Sequence, residues 1–343
     1  MKFLKFNNRD TISVFSRKHK KTFNYDVSGL GAYVDDTSKE IMEDLIETGD
    51  LKSRIVTIKD VKGSKEIKLK TSSPTLQAAS SCGWNATGGI VLTDKAISTV
   101  RVKIQEEYCN EDLNDTWAQI ENAAGANTQD EKVPNFAKTM IAYYKKRAQE
   151  LDENLMMNGD TTSLNPNLVF YDGFSKLWDA DTSLNVAYLS TPATSITAAN
   201  GYDALMDVYN AIPTVVKANA KTVGAEILVG YETARACIDQ VWNDKDYNAV
   251  IDFKEEGDGS IYFTLPTTTM TVRSLPSLNG TDKVYGVCYN YMFYGTDLEN
   301  DRDGFAFKYS DYDEKLRFGV KWRSGIQYVF SEYFTRLKIT AQS

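Results

Sequence analysis

From Pro134 to Met157 the residues Phe136, Met140, Ile141, Tyr144, Ala148, Leu151 and Leu155 keep the three-and-four spacing of one helix face. Pro134 suits the first turn, where its missing N–H costs nothing, and Gly159 stops the helix. At 1.5 Å per residue such a helix is about 36 Å long. A rod of that length can serve as the spine of a flat domain and argues against an all-β design.

Other segments surround it with strands. Residues 1–34 read as an arm without periodicity. Residues 36–48 read as a short amphipathic helix with Ile41, Met42, Leu45 and Ile46 as its stripe. Residues 71–104 are rich in Ser, Thr, Ala and Gly and then strand-like. Residues 172–199 read as a strand-and-loop connector. A second helix is expected over 202–219, bent or broken at Pro213, which lacks a donor and clashes with the preceding turn. Ala225–Val229 reads as a buried strand and 232–242 as a third helix. Strands are expected at 260–274, 284–294, 304–309, 315–323 and 326–338. The last two form a hairpin around Arg323-Ser324-Gly325, with Leu316, Phe318, Val320 and Trp322 on one face. Helices segregated from antiparallel strands make the fold class α+β.

One stretch sits awkwardly in that picture. Residues 54–70, RIVTIKDVKGSKEIKLK, read as a β-hairpin turning at Lys62-Gly63-Ser64. Val56 and Ile58 share a face in one strand, and Ile67 and Leu69 in the other. Seven Lys/Arg against two Asp/Glu between Lys52 and Lys70 give it a net charge of +5 on a chain whose total is −8. A lone two-stranded hairpin with one thin apolar stripe is marginal in water, so its missing face must come from elsewhere. Residues 1–25 are also basic, with seven Lys/Arg and one Asp. Arg17, Lys18, Lys20 and Lys21 form the densest cluster and are candidates for contact with nucleic acid or the interior of an assembly. Acidic counterparts lie at 36–48 and at 106–115, where Glu106, Glu107, Glu111 and Asp112 are candidate contacts for the basic hairpin.

Enzyme chemistry is sparse. The one histidine, His19, lies in the basic arm, so a catalytic triad or a typical zinc site is not expected. No phosphate-binding glycine loop is present. Glu299, Asp301 and Asp303 before Gly304 resemble half a calcium loop, but Ser310 stands where the bidentate glutamate is needed. Paired carboxylates remain open to a hydrolase, although nothing in their spacing singles out an acid and a base. Catalytic residues, cofactors and metals are all expected to be absent. The four cysteines are widely spaced and read as reduced thiols. No segment is apolar enough to span a bilayer and no secretory leader is evident, so no membrane contact and a cytoplasmic site of synthesis are expected.

The run Leu76-Gln-Ala-Ala-Ser-Ser-Cys-Gly-Trp84, then Gly88-Gly89, then 103–113, looks like the hairpin-to-spine stretch of a known family. So do the spine helix, Asn158-Gly159-Asp160 and Asp172-Gly173-Phe174. From about residue 35 onward the chain resembles the major capsid proteins of tailed bacteriophages, with the Hong Kong 97-type fold. Its local residues are similar to those of phages infecting Bacteroidetes-type bacteria.

The resemblance implies four parts: an N-terminal arm and short helix at 1–51, an extended hairpin loop at 52–103, a peripheral domain at 104–199 and 291–343, and an axial domain at 200–290. It implies a non-enzymatic shell protein that forms hexamers and pentamers around packaged double-stranded DNA, in a virion capsid assembled in a host bacterial cytoplasm. Portal, scaffolding and decoration proteins are the implied partners besides the chain itself. On this reading the hairpin lies across the next subunit, with Val56, Ile58, Lys62, Lys65, Ile67 and Leu69 in contact. The alternatives are an encapsulin-like cellular compartment of the same fold, a carboxylate-based hydrolase, and a tail or decoration protein.

Overall fold

The computed structural model describes residues 50–76, 88–109, 134–190, 193–243, 254–255, 261–297, 306–310 and 315–339. The basic arm, the helix expected at 36–48 and the acidic turn at 299–304 lie outside them.

The spine helix is α2 (Pro134–Asn158), preceded in the described chain by one short turn of helix, α1 (Leu51–Arg54). α2 buries Tyr144, Ala148, Leu155, Met156 and Met157, and also the carboxylate of Asp152. A buried charge is costly unless it is paired and hydrogen-bonded. Asp152 accepts the Trp322 indole N–H at 3.0 Å and the Tyr294 hydroxyl at 3.1 Å. The Lys52 ammonium stands 4.0 Å away, over the Tyr294 ring. One side chain therefore ties the spine to three other elements.

Two of those elements belong to a five-stranded sheet. It comprises β1 (Val56–Ile58), β4 (Val100–Cys109), β11 (Met292–Gly295), β12 (Ala306–Ser310) and β13 (Lys315–Tyr328). The order is β1-β11-β13-β12, with β4 also paired to β13. Val102, Val320 and Trp322 pack on Ala148 and Leu155 of the spine beneath it. β13 departs from expectation. It is one continuous strand of 14 residues rather than a hairpin. It pairs with β4 from Lys315 to Ser324 and with β11 from Gly325 to Tyr328. Phe318, Val320, Trp322, Ser324, Ile326 and Tyr328 are all buried, so the two-residue alternation runs unbroken through Ser324-Gly325.

A seven-stranded sheet forms the second layer of structure. Its order is β5 (Asn185–Tyr188), β14 (Thr335–Lys338), β10 (Tyr285–Cys288), β6 (Ala225–Val229), β9 (Thr271–Ser274), β8 (Ile261–Thr264) and β7 (Lys254–Glu255). The strands expected around Ala225–Val229, Met270–Val272 and Val284–Tyr289 are all in it. β5 and β14 come from outside 200–290, so the sheet extends past the axial boundaries read from sequence. Helices α4 (Gly201–Ala211), α5 (Thr214–Ala218), α6 (Ala220–Val223) and α7 (Tyr231–Asn243) accompany it, with Leu205, Val208, Ala234 and Cys237 in its core. Pro213 is extended, with ψ at 142°, and separates α4 from α5 as expected.

The connector at 172–199 is partly helical. α3 (Phe174–Ala180) buries Phe174 and Trp178, four residues apart on one face, with ring centroids 5.2 Å apart. Seven residues are too few for a period to stand out in sequence. Trp178 also meets Tyr285 and Phe334, which joins this short helix to the seven-stranded sheet.

Candidate functional site: a projecting ribbon and its base

The hairpin expected across Lys62-Gly63-Ser64 does not form. β1 leaves that region and pairs in parallel with β11, Val56 opposite Phe293 and Ile58 opposite Gly295. Alternation told which residues share a face, not which strand they meet. The actual hairpin is a two-stranded ribbon of β2 (Ser64–Pro74) and β3 (Gly88–Ser98), in register from Ser64↔Ser98 to Pro74↔Gly88. Eleven residues per strand carry it about 36 Å.

The base of the ribbon is firmly built. Val61 is buried, and its N–H donates to the Thr296 carbonyl at 3.1 Å. The Thr99 hydroxyl donates to the Val61 carbonyl at 2.8 Å, and the Thr99 N–H to the Gly63 carbonyl at 2.7 Å. β3 then crosses the five-stranded sheet where Gly295 faces Gly325. A Cβ on Gly325 would sit 2.0 Å from the Ser98 carbonyl oxygen, and one on Gly295 would sit 3.0 Å from Ile97 Cδ1. Gly325 is glycine because a strand passes over it, which explains why no turn occurs there.

Side chains add to the anchor. Gln327 Nε2 donates to the Ala96 carbonyl at 2.8 Å. The Lys95 ammonium lies 4.1 Å above the Tyr328 ring, and burial lowers its pKa against the pull of Asp181. Tyr328 in turn donates to Asp181 at 2.6 Å. Burial would raise the Asp181 carboxyl, but hydrogen bonds from Ser331, Tyr328 and Ser183 outweigh it and hold the group at about 2.

No family model matches the chain, and no curated protein matches it. Solved structures do. The capsid of an empty GTA particle aligns over 93% of this chain and 100% of its own, with 14% identity and a TM-score of 0.58. Gordonia phage Cozz aligns over 92% and 94%, with 10% identity and a TM-score of 0.55. The capsid of Myoviridae phage XM1 aligns over 88% and 96%, with 14% identity and a TM-score of 0.52. The chain has the Hong Kong 97-type capsid fold.

Within this Hong Kong 97-type fold the predicted contact residues separate. Val56 and Ile58 belong to the five-stranded sheet, while Ile67 and Leu69 stand on the ribbon, sharing one half-buried face. Lys62 lies 3.8 Å from Asp60, and Lys65 donates to the Lys59 carbonyl at 3.0 Å. Both lysines therefore sit at the root of the ribbon, not at its tip. Glu106 and Glu107 lie on β4. Glu106 accepts the Tyr144 hydroxyl at 2.5 Å. Glu107 accepts Lys315 at 2.7 Å, which with nearby Arg317 holds its carboxyl below the usual range. Glu111, Asp112, Arg17, Lys18, Lys20 and Lys21 lie outside the described residues.

The sequence reading missed Ile90, Val91 and Leu92, which project from β3 as exposed apolar side chains. The signal was there: three consecutive apolar residues in a stretch otherwise rich in Ser, Thr and Gly.

Proposed function

We propose that this chain is a major capsid protein whose copies form hexamers and pentamers of an icosahedral shell around packaged double-stranded DNA. The observation that carries the reading is the ribbon itself. It projects about 36 Å with exposed apolar residues on a fold shared with phage and GTA capsids. Exposed large apolar side chains gathered at the far end of a projecting element point to an interaction site, and a two-stranded ribbon needs packing beyond its own pair to be stable. A neighbouring copy supplies that packing. Lys68 and Lys70 take over the charged role assigned to Lys62 and Lys65, which are engaged at the root. Glu107 has its own cationic partners, so Glu111 and Asp112 become the stronger acidic candidates.

Portal, scaffolding and decoration proteins fit this reading as partners, and the basic arm with Arg17, Lys18, Lys20 and Lys21 fits an interior position near DNA. The virion capsid is the corresponding location, after assembly in a host cytoplasm. Within the 52–103 segment the extended loop of this reading runs from Val61 to Thr99, and the flanking β1 and the start of β4 belong to the five-stranded sheet. Catalysis has no part in the proposal. Negative-stain imaging of the purified chain is the test: closed shells are expected, and a 38.5 kDa monomer at every concentration overturns the reading. Nucleic acid inside native particles separates a virion from an encapsulin-like compartment holding a cargo enzyme.

A further inference from the structure

Along β2 the apolar and charged residues alternate, Ile67 and Leu69 on one face and Lys68 and Lys70 on the other. A strand laid on a single surface reads this way. The far end of β3 does not. Successive side chains of a strand point to opposite faces, so the consecutive residues Ile90, Val91 and Leu92 must be divided between the two. The register puts Val91 opposite Thr71, on the face of Leu69, and puts Ile90 and Leu92 opposite Ser72 and Lys70, on the other. Their exposures are 64%, 58% and 72%. A continuous apolar run is the pattern of a strand covered on both sides. Nearer the body the same strand has Ile97 fully buried, because the chain itself covers it there.

We propose that the distal half of the ribbon is inserted between two layers of protein, each supplied by another copy of this chain. It is not draped over a single neighbouring surface. The inference rests on the shell reading above. Charge argues for copies of the same chain. The ribbon carries Lys65, Lys68, Lys70 and Lys95 against Glu66 and Asp94, while the whole chain is −8. Any second copy therefore offers a basic ribbon an acidic body. Lys70 stands directly across from Leu92. In the inserted ribbon its apolar stem would lie beside the covered patch with its ammonium at the rim, as long charged side chains do.

Cysteine reactivity in the full chain tests this. Val91→Cys and Leu92→Cys report the two faces, and the unsubstituted chain gives the background from its native cysteines. Maleimide labelling is measured on unassembled subunits and on shells formed from this chain alone. Both positions are expected to react at least tenfold more slowly in shells. A Leu92→Cys that reacts in shells at the subunit rate overturns the inference while leaving the shell reading intact. Protection of Leu92→Cys that arises only when another virion protein is added overturns the claim that both layers are this chain. Leu92→Lys is the second check: its subunit should fold, and its assembly rate by light scattering should fall at least tenfold. Assembly at the unsubstituted rate overturns the inference. If the unsubstituted chain forms no particles, the shell reading fails and this inference with it.

Discussion

Two aspartates show how single side chains hold this molecule together. Asp152 accepts from Trp322 and Tyr294 deep under the five-stranded sheet. Asp152→Ala removes the buried carboxylate that accepts from Trp322 and Tyr294 and should lower stability by about 3 kcal/mol or more in urea denaturation. Arg147→Ala removes only a partly exposed pair with Glu150 and should cost about 1 kcal/mol or less. Asp181 makes the second case, through pH. Its carboxyl is held at about 2 in the folded chain against roughly 3.9 when unfolded. A depressed pKa contributes stability that is fully present above the unfolded value and is lost as pH falls through the folded one. Acid denaturation should therefore steepen between about pH 4 and pH 2, and Asp181→Asn should flatten that part of the stability profile.

At the scale of elements, the crossing of β3 over β13 gives a sharp test. Gly325→Ala drives a methyl into the Ser98 carbonyl and should cost about 3 kcal/mol or more, with faster proteolysis of the ribbon. Gly319→Ala lies in the same strand, where a Cβ would meet its nearest atoms at 3.7 and 3.8 Å, and should be tolerated far better. The same crossing explains which parts of the fold could be read beforehand. The spine helix, the break at Pro213 and the strand Ala225–Val229 follow from local periodicity and from proline chemistry. Pairing partners are non-local, so alternation points β1 at the nearest strand where the fold pairs it with β11. Gly325 carries the same letter whether it turns the chain or admits a neighbour, and here it admits one. The basic, under-packed stretch was legible as an interaction element. Its true partner strand was not, because Ser72, Ser73 and Gly89 carry no periodic signal.

For the whole molecule, charge should guide assembly more than it stabilises the finished particle. Lys68→Glu with Lys70→Glu should slow shell formation in light scattering, most at low salt, where screening is weakest. Lys62→Glu with Lys65→Glu should slow it less, because those side chains are engaged at the root. Ile67→Asp should block assembly at any salt while the subunit still folds, since its defect is apolar. The route from ribbon to body carries a mechanical consequence. β3 ends at Ser98 and β4 begins at Val100, so only Thr99 lies between the ribbon and a strand zipped along β13 from Lys315 to Ser324. A pull on the ribbon enters the body at the head of β4 and is shared along that whole seam. From that seam β13 is joined to the spine through the Trp322 indole N–H donating to Asp152. Tension applied to the ribbon would thus reach the spine through the buried Trp322–Asp152 hydrogen bond.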